Sequence, residues 1–475
     1  MQNDKIVGGF FWRFLERFGA YVVSFIVSVI LARILEPEAY GTIALVTVFT
    51  NILQVFVDTG LGRALIQKKD ADDIDFSSVF YFNMAMCILL YVILYLLAPY
   101  IAKFYNNREL TNIIRVLGIT LVISGLKNVQ QAYVSREMLF KKFFYATLLG
   151  TLISAAVGIV LAYKGAGIWA LVAQALTNVC IDTLTLWVTV KWRPKKIFSI
   201  SRLKDLLGYG WKLLVSALVG TISDNLRQLI IGKLYTSVDL AYYNKGDQIP
   251  SIVNGTVNAT IDSVIFPAMT KVQDKKENVK NMTRRAITSS TYIMAPLFIG
   301  LACCSETLIR LLLTEKWLPC VPYLRVFCIT YLFHPIHTAN LNAILAMGRS
   351  DIDLKLEVIK KILEIVILLI TMQHGVLYIA YSLLLITVIN QIINAVPNKK
   401  LIGYSYVEQI KDILPTLVTA GVMGIGVYFL GFLPINDMFL LFLQIVVGAV
   451  LYLGVSDIFK LDAFMYLKRK IANKD

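Results

Sequence analysis

Blocks of about twenty apolar residues, separated by short polar connections, recur along the whole chain of 475 residues. A block of that length spans the hydrocarbon core of a bilayer as a helix. Within lipid every backbone N–H and C=O must be bonded inside the protein, which leaves helices and closed barrels. Barrel strands are half as long as these blocks, so the chain is read as all-α and polytopic. The expected spans are fourteen: residues 10–35, 40–62, 77–101, 113–134, 143–163, 167–190, 209–235, 241–269, 287–313, 321–347, 354–373, 376–396, 410–432 and 438–458. The eighth carries Lys245, Asp247, Asn254, Asn258 and Asp262 and is the least apolar. Hydrophobic residues make up 57% and charged residues 16%, which excludes a soluble enzyme, a nucleic-acid-binding domain or a disordered chain.

The net charge of +15 is explained by topology rather than by nucleic acid. Most of the 46 Lys and Arg lie on one side of the alternating spans, in the connections around Arg63–Lys69, Arg136–Lys142, Lys191–Lys212, Lys271–Arg285 and Lys399–Lys411 and in the tail. Both termini are therefore expected in the cytoplasm, and the basic tail suits an anionic lipid surface. The connections on the other side are too short to form an extracellular domain. Cys87, Cys180, Cys303, Cys304, Cys320 and Cys328 lie in or beside apolar segments without framework or metal spacing. No secretory signal peptide is expected, because the first long span has no cleavage site behind a short apolar core.

The polar stretch 191–208 separates six spans from the next six. Arg33 to Glu38 is similar to Lys233 to Asp239 with one residue inserted, and Asp58, Ala64 and Asp70 have the spacing of Asp262, Ala268 and Asp274. Both matches set span one on span seven in the same orientation. The expected organisation is a six-helix lobe over 1–190, a basic cytoplasmic linker over 191–208, a second six-helix lobe over 209–396, and two further helices with a basic tail over 397–475.

The segment Leu31-Ala-Arg-Ile-Leu-Glu-Pro-Glu-Ala-Tyr-Gly-Thr-Ile-Ala-Leu, followed by Phe56-Val-Asp-Thr-Gly-Leu-Gly-Arg-Ala-Leu-Ile-Gln, resembles the N-terminal signature of bacterial polysaccharide transporters. These are the O-antigen, colanic-acid and teichuronic-acid flippases of the multidrug/oligosaccharidyl-lipid/polysaccharide flippase superfamily. The resemblance implies a two-lobe carrier that moves undecaprenyl-diphosphate-linked oligosaccharide across the cytoplasmic membrane by alternating access. It implies membrane lipids, a polysaccharide polymerase and other assembly proteins as surroundings.

Ionisable groups inside a span cost about 2.5–3.5 kcal/mol each on insertion scales and usually face a partner or a wet cavity. Arg13 and Arg17 share a face of the first span, with Glu16 between them. They form either a cationic wall for a diphosphate or ordinary flanking charge paired with Glu16. Arg63, Lys212 and Arg227 complete the expected cationic set. Asp224 and Arg227 are three apart and either pair with each other or line a cavity, with Asn225 and Gln228 beside them. Asp247, Asn254, Asn258 and Asp262 repeat at spacings of seven, four and four, a single helical stripe. It suits sugar hydroxyls or polar packing between helices. The expected sugar-facing residues are Asn225, Gln228, Asn254, Asn258 and Asp262, and the candidate ion-coupling carboxylates are Asp58 and Asp224. His334 and His337, separated by Pro335, are better suited to interhelical hydrogen bonds than to metal. Glu357 with Lys361 and Lys360 with Glu364 are i,i+4 pairs that neutralise the eleventh span.

No cofactor is expected. The chain has no Gly-Lys-Ser/Thr phosphate loop and no His-Glu-x-x-His, and Gly165-Ala-Gly-Ile-Trp-Ala lies in a turn between membrane helices rather than after a strand. Energy would then come from an ion gradient or the membrane potential. A cation-coupled drug or metabolite exporter of the same superfamily is the alternative, and it would need an acidic pocket. A membrane glycosyltransferase or polymerase is disfavoured by the short external connections.

Overall fold

In the computed structural model the described residues are 2–58, 61–465 and 468. They form helices and turns, with no strand among them. The contacts divide the chain into two compact units, one up to Ala241 and one from Tyr242 onward.

The first unit begins with α1 (Gln2–Ile34), α2 (Pro37–Asp58), α3 (Leu61–Gln67) and α4 (Asp73–Phe104). It continues with α5 (Glu109–Arg136), α6 (Phe140–Tyr163), α7 (Ile168–Thr189) and α8 (Ile200–Leu234). Helices pack in lipid through small residues that let backbones approach. Gly150, Ser154 and Gly158 form such a ladder on α6. A Cβ on Gly150 would lie 3.1 Å from the Asn178 carbonyl of α7, and one on Gly158 would lie 3.0 Å from Gln174. An apolar core of Leu65, Phe76, Val79, Val129, Leu186 and Trp192 closes the opposite end.

Segment 191–208 is bound to the start of α4. Ser77 Oγ accepts from the Lys195 amide at 3.0 Å and Ser78 Oγ from the Ser199 amide at 2.9 Å. Lys195 pairs with Asp73 at 2.6 Å, and Arg202 reaches Asp75 at 3.3 Å. The Trp192 ring is 8% exposed. The contact boundary falls after Ala241, near the start of α9 (Ser237–Thr270).

The second unit holds the rest of α9, then α10 (Lys276–Cys303), α11 (Ser305–Leu313), a 3-10 turn (Glu315–Cys320), α12 (Val321–Leu332) and α13 (His334–Ala346). It ends with α14 (Ser350–Thr371), α15 (Val376–Leu401), α16 (Tyr406–Leu430) and α17 (Asp437–Ile458). Arg284 of α10 holds Asp412 of α16 with two bonds of 2.7 and 2.6 Å, and the Tyr404 hydroxyl donates to the same carboxylate at 2.7 Å. Gly424 lies against Ile299, and Gly426 against Leu451 of α17, while Gly421 has no neighbour within 4 Å.

Among the described residues ten helices are long and apolar enough to cross a membrane, or eleven when α8, bent by 51° between Ile200–Gly208 and Gly210–Leu234, counts as one span. The other expected spans fall short for identifiable reasons. α9 carries its polar stripe. The span expected over 321–347 is two shorter helices that break at Phe333, with Pro335 in the first turn of α13. α14 contains Asp351, Asp353, Lys355, Glu357, Lys360, Lys361 and Glu364; Lys360 bonds Glu357, and Lys361 bonds Glu364 at 3.0 Å, both at i,i+3.

The suggested repeat has a structural counterpart. α1 ends at Ile34 and α2 starts at Pro37; α8 ends at Leu234 and α9 starts at Ser237. These helix ends coincide without the inserted residue.

Candidate functional site

In the first unit the polar groups gather on α2, α5 and α7. Asp58, in the last turn of α2, accepts from Gln54 at 2.9 Å and from Asn128 of α5 at 3.3 Å. Beside Asn128, Lys127 pairs with Asp182 of α7 at 2.7 Å, with side-chain exposures of 17% and 14%. A pair so far from water holds only while both members are present. Arg63 is exposed on α3. Asp182 went unnoticed in the sequence, because its partner is 55 residues away.

The expected cations are dispersed. Arg13 pairs with Glu16 at 3.0 Å and lies over the Phe143 ring at 4.0 Å. Glu16 also accepts from Thr147 at 3.2 Å. Arg17 and Lys212 are exposed. Arg227 is 7% exposed, the most buried of the five, and Asp224 on the same helix is exposed. Asn225 donates to the Thr221 carbonyl of its own helix at 2.8 Å, and Gln228 is half-buried. Where α2 and α5 start and α4 and α8 end, an open cleft of about 440 Å³ is lined by Glu38, Tyr105, Arg108, Glu109, Tyr235 and Thr236.

In the second unit the α9 stripe has acquired partners from α12 and α13. Tyr331 donates to Asp247 at 2.7 Å. The Asn254 amide reaches His334 Nδ1 at 3.1 Å, and Thr338 donates to Asn258 at 3.1 Å. Asn258 also donates to Asn254 at 2.5 Å. The ladder satisfies much of the stripe, which accounts for polar residues in a helix of this length. Asp247, Asn254, Asn258, His334 and Thr338 are half-buried. The Asp262 side chain lies outside the described residues. Behind the ladder His337 bonds Asn394 at 2.7 Å. Asn340, Asn398 and Gln409, all 0% exposed, form a buried amide cluster. No group of three or more metal-binding side chains occurs among the described residues.

Outside the spans, two carboxylates are held by groups close by in sequence. The Asp72 carboxylate caps α4, and the backbone N–H of Asp75 holds it below the usual carboxylate range. The hydrogen bonds from Arg349 pull the Asp351 carboxyl down to about 2.

Residues 30–322 match the model of a family described as polysaccharide biosynthesis protein. The chain belongs to that family. Among curated relatives it is similar to the teichuronic acid biosynthesis protein TuaB of Bacillus subtilis, 26% identical over 90% of this chain and 89% of the relative. The lipopolysaccharide biosynthesis protein WzxC of Escherichia coli is 24% identical over 89% and 88%. The succinoglycan biosynthesis transport protein ExoT of Rhizobium meliloti is 23% identical over 67% and 65%. The fold is similar to that of the lipid II flippase MurJ, whose structure is of an inward closed conformation, with TM-score 0.76, 14% identity, and 95% and 99% of the two chains covered. A multidrug resistance transporter of the MOP superfamily, inward-facing, superposes with TM-score 0.61 at 16% identity over 81% of this chain and 94% of its own.

Proposed function

We propose that this chain is a flippase that carries polyprenyl-diphosphate-linked oligosaccharide across the bacterial cytoplasmic membrane for surface polysaccharide synthesis. Family membership carries the reading, with relatives over nearly the full length whose names place them in teichuronic acid and lipopolysaccharide synthesis. The chain acts as a carrier and not an enzyme. Both termini lie in the cytoplasm, following the distribution of Lys and Arg. Helices of 1–190 and 209–396 act as the two repeat halves around 191–208, with 397–475 appended, and alternate access to one path.

Three chemical parts of the ligand need three surfaces. Arg227, buried in α8, is the cation best placed to meet a diphosphate away from water, where a charge-assisted hydrogen bond is strongest. Arg13, Arg17, Arg63 and Lys212 draw the headgroup in from the cytoplasmic face. The half-exposed amides Asn254 and Asn258, with Asn225, Gln228 and Asp262, receive sugar hydroxyls. Asp58 and Asp224 are the coupling carboxylates of this reading. A polymerase and other assembly proteins take the product.

Leaflet transfer of a diphosphate-linked oligosaccharide lipid in vesicles tests this, with Arg17→Ala and Arg227→Ala beside the wild type. Transfer by the wild type that the variants lose supports the reading. No transfer of any such lipid, together with cation-driven efflux of a cationic dye, overturns it in favour of an exporter.

A further inference from the structure

Residues 195–204 carry large apolar side chains that the fold leaves outside. Ile197 is 45% exposed, Phe198 50% and Ile200 62%. Trp192, Leu203 and Leu206, close by in sequence, are instead part of the buried core beside α4. The backbone is fixed with the first set outward. Ser77 and Ser78 hold the Lys195 and Ser199 amides at 3.0 and 2.9 Å. Between them the Ile197 amide donates to the Lys195 carbonyl at 2.8 Å. The turn pinned by the two serines therefore displays Ile197 and Phe198. An exposed apolar patch with polar surroundings marks an interaction surface.

Charge selects what covers it. Six of residues 191–204 are Lys or Arg and none is acidic. Three of the six are already engaged. Arg193 donates to the Val190 and Trp192 carbonyls at 2.6 and 2.7 Å. Lys195 pairs with Asp73 at 2.6 Å, and Arg202 with Asp72 at 3.5 Å and Asp75 at 3.3 Å. Lys191, Lys196 and Lys204 are exposed and make no ion pair with a described residue. Asp205, also exposed, follows Lys204.

The patch runs on into an arm turned away from its span, because α8 bends by 51° after Gly208. Ile200 and Lys204 are four apart and share a face of that arm. A lysine so placed lays its methylene stem along apolar surface and keeps its ammonium in water. Trp211, just past the bend, is 54% exposed, and indole rings concentrate where hydrocarbon meets headgroups. A short arm bent from its span, with apolar and basic side chains exposed together, has the form of a segment lying in the headgroup layer.

We propose that residues 195–204 are an interfacial anchor that binds anionic phospholipid, in the cytoplasmic leaflet on the orientation proposed above. Ile197, Phe198 and Ile200 enter below the phosphates, and Lys196 and Lys204 meet them. A lipid surface supplies in one place the apolar layer and the negative charge that the patch complements. The proposal goes beyond the carrier reading and does not depend on what the chain carries.

The test uses the full chain in vesicles of equal parts phosphatidylcholine and phosphatidylglycerol. Phe198 is replaced by photoreactive benzoylphenylalanine, and the adducts formed on illumination are identified by mass. Phospholipid adducts are expected, with phosphatidylglycerol severalfold in excess of phosphatidylcholine. Lys196→Glu with Lys204→Glu should bring the two lipids to equal yield while adducts persist. Salt at about 1 M, where the Debye length is about 3 Å, should do the same without the charge reversal. A second readout needs no photoreactive residue: amide exchange over 196–198 should be slower with phosphatidylglycerol than in phosphatidylcholine alone, and the double reversal should abolish the difference. Absence of lipid adducts overturns the proposal, as does equal yield of the two lipids from the chain with both lysines. Adducts with a second copy, or with a soluble protein when the illumination is repeated in native membranes, overturn it in favour of a protein-docking surface. Should the photoreactive chain fail to fold, the exchange comparison decides, and equal rates in the two vesicles overturn the proposal.

Discussion

Gly41 of α2 lies directly on the Ser237 backbone, where the chain turns from α8 into α9, with no room for a side-chain atom between them. One turn on, Gly232 of α8 receives the Leu45 side chain of α2. The turn from α8 into α9 thus closes on the start of α2 inside the first unit. Gly41→Ala puts a methyl group into backbone that has no rotamer with which to yield. Overpacking of this kind costs about 1–3 kcal/mol. Thermal unfolding in detergent should show a Tm lowered by several degrees. Gly19→Ala, inside α1 with nothing within 4 Å, should leave it unchanged or slightly raised.

Lys127 and Asp182 should be interdependent. Lys127→Ala leaves a carboxylate without its cation in a site only 14% exposed. Breaking a pair of this kind costs about 3–5 kcal/mol, whereas replacing both members with apolar residues is often neutral. Unfolding of Lys127→Met, Asp182→Leu and the double variant should give a double variant more stable than either single one. Additive losses would mean the two side chains do not act as a pair.

Acid should loosen the start of α4. Asp72 is held below the usual carboxylate range by the amides it caps. A carboxylate depressed in the folded state contributes stability above its unfolded value, near 3.9, and loses it as pH falls through the lower folded value. Hydrogen exchange at the Ile74 and Asp75 amides should stay slow down to about pH 4 and quicken below it. Asp72→Ala should remove the protection at every pH, at a cost of about 0.5–2 kcal/mol.

The ladder between α9 and α13 separates packing from recognition. Asn258→Leu removes the bonds from Thr338 and to Asn254. Hydrogen bonds between membrane helices average about 0.6 kcal/mol and reach about 2, so the fold should survive. If Asn258 receives sugars, transport at low substrate should fall severalfold while the maximal rate changes less. Equal loss in both, tracking the drop in Tm, would assign Asn258 to packing alone.

The periodicity of the apolar blocks determined the helical fold, and the shared phase of Arg33 and Lys233 anticipated the matching helix ends at Ile34 and Leu234. Four features were harder to read. The α12–α13 break was signalled by Pro335, yet the apolar run on both sides read as a single span. The α9 stripe showed which residues are polar, but Tyr331, His334 and Thr338 lie some eighty residues away, and no periodicity reports a long-range partner. Lys127 was visible as a charge within a span, while Asp182 became meaningful only when α5 and α7 came together. The ladder of Gly150, Ser154 and Gly158 was present in the sequence as small residues four apart and passed unnoticed beside the charges.

The seam between 191–208 and the first turn of α4 decides where a foreign protein can be attached. Ser77 and Ser78 hold the backbone of Lys195 and Ser199, and Trp192 is inserted behind them. A fluorescent domain or epitope spliced into 191–208 would separate these contacts, although its composition resembles an open hydrophilic connection. The six residues 431–436 between α16 and α17 are all exposed. They are the better insertion point for a reporter that leaves the carrier intact.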